Sequence, residues 1–164
     1  MIISLIAAVD EHGGIGRNGR MPWRLSDDLK HFRALTLGHH VLMGRKTYAT
    51  VAGKLPGRKL LVLSHNPAFR ADDALVLPTF EAALAEAQAA GEEELFVIGG
   101  AEVFARALPL AQRFYLTLVK AVTDCDVFFP EFDIHQWKLR SEQNFAAGEK
   151  NDYDFSILEL ERSV

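Results

Sequence analysis

Apolar residues along this chain fall into short runs separated by polar segments, and the spacing of the runs predicts most of the elements. Continuous runs at Ile2–Val9, His40–Gly44, Lys59–Ser64, Ala74–Leu77, Glu94–Ile98 and Arg113–Lys120 are short and rich in Val, Ile and Leu, which reads as strands. Because they are continuous rather than alternating, they suit strands covered on both faces, the habit of mostly parallel sheets. Segments with helical spacing lie between them. Ser26 is placed to cap a helix whose first turn holds Asp27 and Asp28 and which Gly38 ends, and a second helix runs from Arg45 to Val51. A third extends from its cap Thr79 to Ala90, with Phe80, Leu84 and Ala87 on one face and Gly91 beyond its end. A fourth opens after Gly99-Gly100 and stops near Pro109. Beyond residue 113 the helices cease, and Tyr153 to Arg162 alternates apolar and polar positions, so the end of the sheet is expected to be antiparallel. The chain shows no repeat, linker or shift in composition, and residues 1–164 are read as one α/β domain.

Composition narrows the function classes. A chain of 164 residues with 49% hydrophobic and 24% charged positions can bury a core, which excludes a disordered scaffold. Lys and Arg number 18 against 22 Asp and Glu, a formal charge of -4, so no general nucleic-acid or anionic-membrane binder is expected and any important cation acts locally. Cys125 stands alone, which excludes an internal disulfide and a cysteine zinc cluster and suits a reducing compartment. The histidines have no HxxxH or HExxH spacing, so no metal site is expected. The first apolar run has no basic flank or cleavage signal and is too short to span a bilayer, and the chain is read as cytoplasmic.

Ligands of open α/β sheets bind at the carboxyl ends of strands, and three such places carry notable residues. Ile98-Gly99-Gly100-Ala101-Glu102-Val103-Phe104 is a strand, two glycines and a helix start, where bare backbone N–H groups can approach a pyrophosphate; a tight turn needs the same glycines. Met43-Gly44-Arg45-Lys46-Thr47 repeats the device with two cations against the helix dipole, which reads either as an anion site or as a solvated basic pair. The third is Asp10 to Leu25, a long loop with Gly13, Gly14, Gly16 and Gly19 that leads through Met21-Pro22-Trp23 into the first helix and has the character of a lid. On that helix the spacing puts Leu25, Asp28, Leu29, Phe32 and Leu35 on one face and Asp27, Lys30, His31 and Ala34 on the other. Asp28 is then a carboxylate on an apolar stripe. The helix dipole alone accounts for a first-turn acid. Apolar neighbours, however, make ionisation costly unless a ligand brings a pair of N–H donors, which marks Asp28 as a functional candidate.

In their order and spacing these residues resemble dihydrofolate reductase of the bacterial chromosomal type, over essentially the whole chain. The resemblance is carried by Ile3-Ser4-Leu5-Ile6-Ala7-Ala8, Ile15-Gly16, Met21-Pro22-Trp23, Asp28-Leu29 with Phe32, Met43 to Thr47, Leu55-Pro56-Gly57-Arg58, Val97-Ile98-Gly99-Gly100, Tyr115-Leu116-Thr117 and Phe129-Pro130. It implies an eight-stranded, mostly parallel central sheet with an antiparallel C-terminal strand and about four flanking helices. It implies NADPH as cofactor and reduction of 7,8-dihydrofolate to tetrahydrofolate, with hydride passing to pterin C6 and a proton to N5.

The same resemblance assigns roles. Asp28 is the ionisable pterin ligand, supported by Thr117; Trp23 orders a water through which the proton reaches N5, and Met21 ends the loop that closes over the nicotinamide. Ile6, Ala8, Leu29, Phe32, Val51, Leu55 and Ile98 wall the folate pocket, and Arg58 holds the glutamate α-carboxylate as a fork. Ala8, Ile15 and Gly16 lie near the nicotinamide; Gly99, Gly100, Ala101, Glu102, Val103 and Phe104 surround the pyrophosphate, with a cis bond at Gly99-Gly100. Arg45, Lys46, Thr47, Ser64 and His65 meet the adenosine ribose phosphates, Arg45 with Ser64 favouring NADPH over NADH, and Gly44, Leu63 and Ile98 complete the cofactor set. Ala101, Glu102, Phe104 and Gly53 depart from the best-known bacterial pattern, the first three on the NADPH side. The resemblance further implies a monomer inhibited by diaminopyrimidines and diaminopteridines. A pyrimidine reductase of the riboflavin type and a non-catalytic nucleotide-binding module are the alternatives; Arg58 argues against the first, Asp28 with Trp23 against the second.

Overall fold

The apolar runs of the sequence become the interior of one twisted sheet. In the computed structural model, which describes residues 1–163, the strands in chain order are β1 (Ile2–Val9), β2 (Gly14–Gly16), β3 (His40–Gly44), β4 (Lys59–Leu63), β5 (Ala74–Leu77), β6 (Glu94–Gly99), β7 (Arg113–Val119), β8 (Val127–Phe128), β9 (Trp137–Phe145) and β10 (Phe155–Arg162). The helices are α1 (Ser26–Thr36), α2 (Arg45–Val51), α3 (Phe80–Ala89) and α4 (Ala101–Ala107). Eight strands form the main sheet in the order β5-β4-β3-β6-β1-β7-β10-β9, parallel from β5 through β7, with β10 antiparallel to both of its neighbours. The expected architecture is therefore the one observed.

Strand alternation gives the two faces of β1 different tasks. Ile3, Leu5, Ala7 and Val9 point into the larger core, where Phe80, Ala83 and Ala87 of α3 and Val103, Phe104 and Ala107 of α4 cover them. The other face is covered by two separate apolar clusters. One gathers Trp23 and Leu25 with Val119, Phe155 and Ile157; the other gathers Tyr48 of α2 with Val41, Met43, Leu60 and Val62. Ala8 borders the first and Ile98 the second, so the break between the clusters falls over the carboxyl ends of β1 and β6. A cleft opens where apolar cover is missing.

The capping of α1 differs from the expectation. Ser26 is the first helical residue, and the N-cap position belongs to Leu25, in extended conformation with no side-chain cap. Backbone donors of the first turn are met from a distant loop instead: Ser26 N donates to Lys150 O at 3.0 Å and Asp27 N to Asn151 Oδ1 at 3.3 Å, while Asn151 Nδ2 donates back to Asp27. Thr79 does cap α3, accepting from Ala82 N at 3.0 Å. The glycine-rich segment after β1 also holds more structure than a lid alone, since β2 within it pairs with β8. Among the described residues no helix is long and apolar enough to cross a membrane, and no cluster of metal-ligating side chains is found.

The amino edge of the sheet is locked by carboxylates. Burial raises the Glu92 carboxyl, but hydrogen bonds from His39 Nδ1, His40 N, His40 Nδ1 and Glu94 N outweigh it and hold the group at about 2. A depressed carboxyl stabilises the fold above its unfolded value near 4.5 and loses that contribution as pH falls towards 2. Glu92→Gln is expected to lower stability at pH 7 by on the order of 3 kcal/mol. Urea unfolding of both proteins across that acid range checks this, because the gap must close as the wild-type group takes up its proton.

Candidate functional site

The cleft lies between α1 and α2 at the carboxyl edge of the sheet. Register places its floor. Ala8 of β1 is paired with Thr117 of β7, and on β6 the register slips between Leu42 and Met43 of β3, so that Val97 and Gly99 are the paired residues and Ile98 stands as the extra one. A bulge of this kind re-aims a side chain at the end of a strand. Ile6, Ala8, Phe32, Val51, Leu55 and Ile98 are each part-exposed, while Leu5, Leu42 and Val97 are fully buried. An apolar wall that is neither buried nor free is what a ligand cleft presents.

Asp28 supplies the charge. Thr117 Oγ1 donates to Asp28 Oδ1 at 2.6 Å, joining α1 to the carboxyl end of β7. Desolvation raises the Asp28 pKa and outweighs the lowering by the Thr117 hydrogen bond and by nearby His31. Trp23 is buried at the root of the same helix, and its indole Nε1 has no hydrogen-bond partner within the protein. At the other end of the cleft, Arg58 is fixed by bonds from Nε to Pro56 O at 3.1 Å and from Nη1 to Thr36 Oγ1 at 3.2 Å. Burial and the neighbouring charge of Arg33 both lower the Arg58 pKa, so two cations face solvent with no carboxylate paired to them among the described residues.

Beside the cleft two glycine turns meet. A Cβ on Gly44 would stand 3.9 Å from both Gly100 N and Gly99 O, and one on Gly100 would stand 3.7 Å from Thr47 Oγ1. Bare backbone from β3 and β6 thus lines a cradle that side chains would fill. The Gly99-Gly100 peptide bond is cis, and neither α2 nor α4 has a side-chain cap. Further along, Ser64, His65, Asn66, Phe69, Arg70 and Pro78 line a surface groove of about 370 Å³.

The family model described as dihydrofolate reductase matches residues 2–162. The chain belongs to the dihydrofolate reductase family. It is 40% identical over 162 residues to dihydrofolate reductase type 3 of Salmonella typhimurium, covering 99% of each chain. It is 37% identical over 161 residues to dihydrofolate reductase of Bacillus subtilis, covering 98% of this chain and 95% of that one. Among solved structures it matches dihydrofolate reductase from Enterococcus faecalis, complexed with NADP(H) and RAB-propyl, with a TM-score of 0.91 and 33% identity over 99% of this chain and 97% of that chain.

Within this dihydrofolate reductase fold, Val51, Leu55 and Ile98 of the expected substrate-side set pack on one apolar cluster and Asp28 is bonded to Thr117, whereas Leu29 and Met21 are both about half exposed. Gly44 and Thr47 lie beside Gly99 and Gly100 at the cradle, with Arg45 and Lys46 between the first two along α2 and Ala101 opening α4. Arg45, Lys46 and Glu102 are exposed, whereas Val103 and Phe104 are core residues, so their side chains brace the turn from behind. A Cβ on Gly99 would meet the Phe104 ring at 3.0 Å. Leu63, Ser64 and His65 continue from β4 to the groove, and Ile15 and Gly16 lie in β2.

Two positions were not legible. His31, placed on the outer face by helical spacing, has its ring edge-on to Tyr115 at 6.3 Å, and its Nε2 is buried without a partner. Position i+3 to Asp28 was the available signal, masked by the polar character of histidine. Asp10, at the end of β1, accepts from His12 N, Gly14 N, Thr123 N and Thr123 Oγ1 and so ties β2 to the segment before β8. Its signal was an aspartate closing a strand just before Gly13-Gly14, a setting for an Asx turn. Replacing Thr117 by Val should raise the Asp28 pKa further and cost on the order of 1 kcal/mol of stability. A carboxyl ¹³C titration of the variant reads the first effect, and an unmoved Asp28 would separate the two groups.

Proposed function

We propose that this chain reduces 7,8-dihydrofolate to tetrahydrofolate with NADPH. The observation that carries the reading is the part-buried Asp28 carboxylate, bonded to Thr117 at the floor of an apolar cleft beside a glycine cradle. A flat heterocycle with an amino group next to a ring N–H presents two parallel donors, which match the two oxygens of Asp28. Family membership, and the NADP(H) bound by the Enterococcus faecalis relative, support the same assignment.

The cradle fits a dinucleotide. Backbone of Gly44, Gly99, Gly100 and Ala101 would hold the pyrophosphate, Arg45, Lys46, Thr47, Ser64 and His65 the ribose phosphates, and Ala8, Ile15 and Gly16 the nicotinamide end. When bound, NADPH supplies the hydride that reaches pterin C6. The chain's own residues do the rest. Ile6, Ala8, Phe32 and Ile98 orient the pterin and keep water from the reacting edge, while Val51, Leu55 and Arg58 hold the benzoyl-glutamate tail. Asp28 favours the protonated heterocycle electrostatically, and the unpartnered indole N–H of Trp23 supports an ordered water that carries the proton to N5. Met21, at the end of the glycine-rich segment, closes the nicotinamide side.

We extend the proposal to a monomeric cytoplasmic enzyme that diaminopyrimidines and diaminopteridines inhibit through Asp28. The edge strand β9 carries Lys138, Arg140 and Glu142, charges that oppose strand-to-strand pairing between copies, and the lone Cys125 suits a reducing compartment.

A carboxyl raised by burial costs stability as pH climbs from its unfolded value near 3.8 up through its higher folded value, and the whole loss is present above that. Asp28→Asn should therefore unfold at a higher urea midpoint at pH 7 while its turnover falls by about 100-fold or more. Dihydrofolate-dependent loss of NADPH absorbance measures the second effect, and wild-type kinetics in the variant would remove Asp28 from the mechanism.

A further inference from the structure

Tyr48 follows Arg45, Lys46 and Thr47 on α2 and is buried, with its ring edge-on to Phe69 at a centroid distance of 6.2 Å and an angle of 85°. Its hydroxyl donates to Asp73 Oδ1, while Asp73 Oδ2 accepts from Gly53 N at 2.9 Å. One carboxylate thus joins three pieces of chain: the groove segment that leads into β5, the body of α2, and the turn at Gly53 that carries the chain to Leu55. The packing repeats the connection. Phe69, Ala71 and Ala74 from the groove side share one apolar cluster with Val51, Leu55 and Ile98 from the cleft side, and Tyr48 belongs to its buried centre. The hydrogen bonds from Tyr48 and Gly53 hold Asp73 below the usual carboxylate range, so both acceptor oxygens stay available.

We infer that Tyr48 and Asp73 are positioning residues that couple the two ends of the ligand-binding surface. An adenosine bisphosphate in the groove fixes the Phe69–Asp73 segment; Asp73 and Tyr48 pass that constraint to Gly53, and so to the wall formed by Val51 and Leu55. The coupling runs through packed side chains and hydrogen bonds without any contact between the two ligands. By linkage it acts equally in both directions. The inference rests on the reduction of dihydrofolate with NADPH proposed above.

Calorimetric titration of wild type, Tyr48→Phe and Asp73→Ala with folate tests it, each with and without saturating adenosine 2′,5′-bisphosphate, a probe that lacks the nicotinamide. In the wild type the bisphosphate should change the folate Kd by about fivefold or more, and folate should change the bisphosphate Kd by the same factor. Tyr48→Phe keeps the ring against Phe69 and loses only the hydroxyl; in it and in Asp73→Ala the factor should fall to within about twofold of unity, with folate alone bound as by the wild type. A wild-type factor of one, or an undiminished factor in Tyr48→Phe, overturns the coupling. NADPH turnover of dihydrofolate, run on the same samples, separates the two readings: turnover without coupling overturns only this inference, whereas failure of both the bisphosphate and NADPH to bind overturns both.

Discussion

A carboxylate withdrawn from water must collect donors or take up a proton, and the way this chain treats three such groups organises the molecule. Asp10 has four donors from the segments around β2 and β8, and Glu92 has donors from two histidines and the backbone, so both are held low in spite of burial. Asp28 has one, the hydroxyl of Thr117, and burial prevails. The first two are finished inside the protein and act as ties. The third is left short of donors at the floor of a cleft, and a ligand that brings them gains what the protein's own groups do not supply.

The same logic separates the two edges of the sheet. At the amino edge Glu94 accepts from Ser4 Oγ and Tyr115 OH and pairs with Arg113, next to the Glu92 cluster. These bonds draw β1, β6, β7 and the start of β3 together where no ligand is needed. At the carboxyl edge β3 and β6 end in glycine, β6 carries a bulge, β4 and β5 end in part-exposed leucines, and cover by helices is interrupted. Rigidity at one edge permits incompleteness at the other.

How much of this was legible follows from which interactions are local. The runs from Ile2 to Val9 and from Glu94 to Ile98 announced themselves because central parallel strands are apolar on both faces. Thr79 was readable as a cap because it bonds three residues ahead. The true cap of α1 was not, since Asn151 arrives from 124 positions away. β2 and β8 are too short and too rich in glycine or bare exposed side chains to carry a period, and β9 exposes seven consecutive residues, so its alternation is hidden. Helical spacing found the face of Asp28 but misassigned His31, whose burial depends on Tyr115 in another strand. The site's residue types were visible; their pairings across the sheet were not.

The placement of β1 between β6 and β7 bears on how the protein comes into being. β1 leaves the ribosome before the other strands of this sheet and has both of its hydrogen-bonding partners far downstream, the last of which, β7, ends at Val119. Until then β1 has β6 on one side and no partner on the other, and Asp28 has no Thr117, 89 residues away, to meet. Such long-range closure slows folding and leaves apolar edges exposed meanwhile. The pocket is therefore among the last things made: a nascent chain without β7 lacks the floor of the site, and ligand capture reports completion of the central sheet.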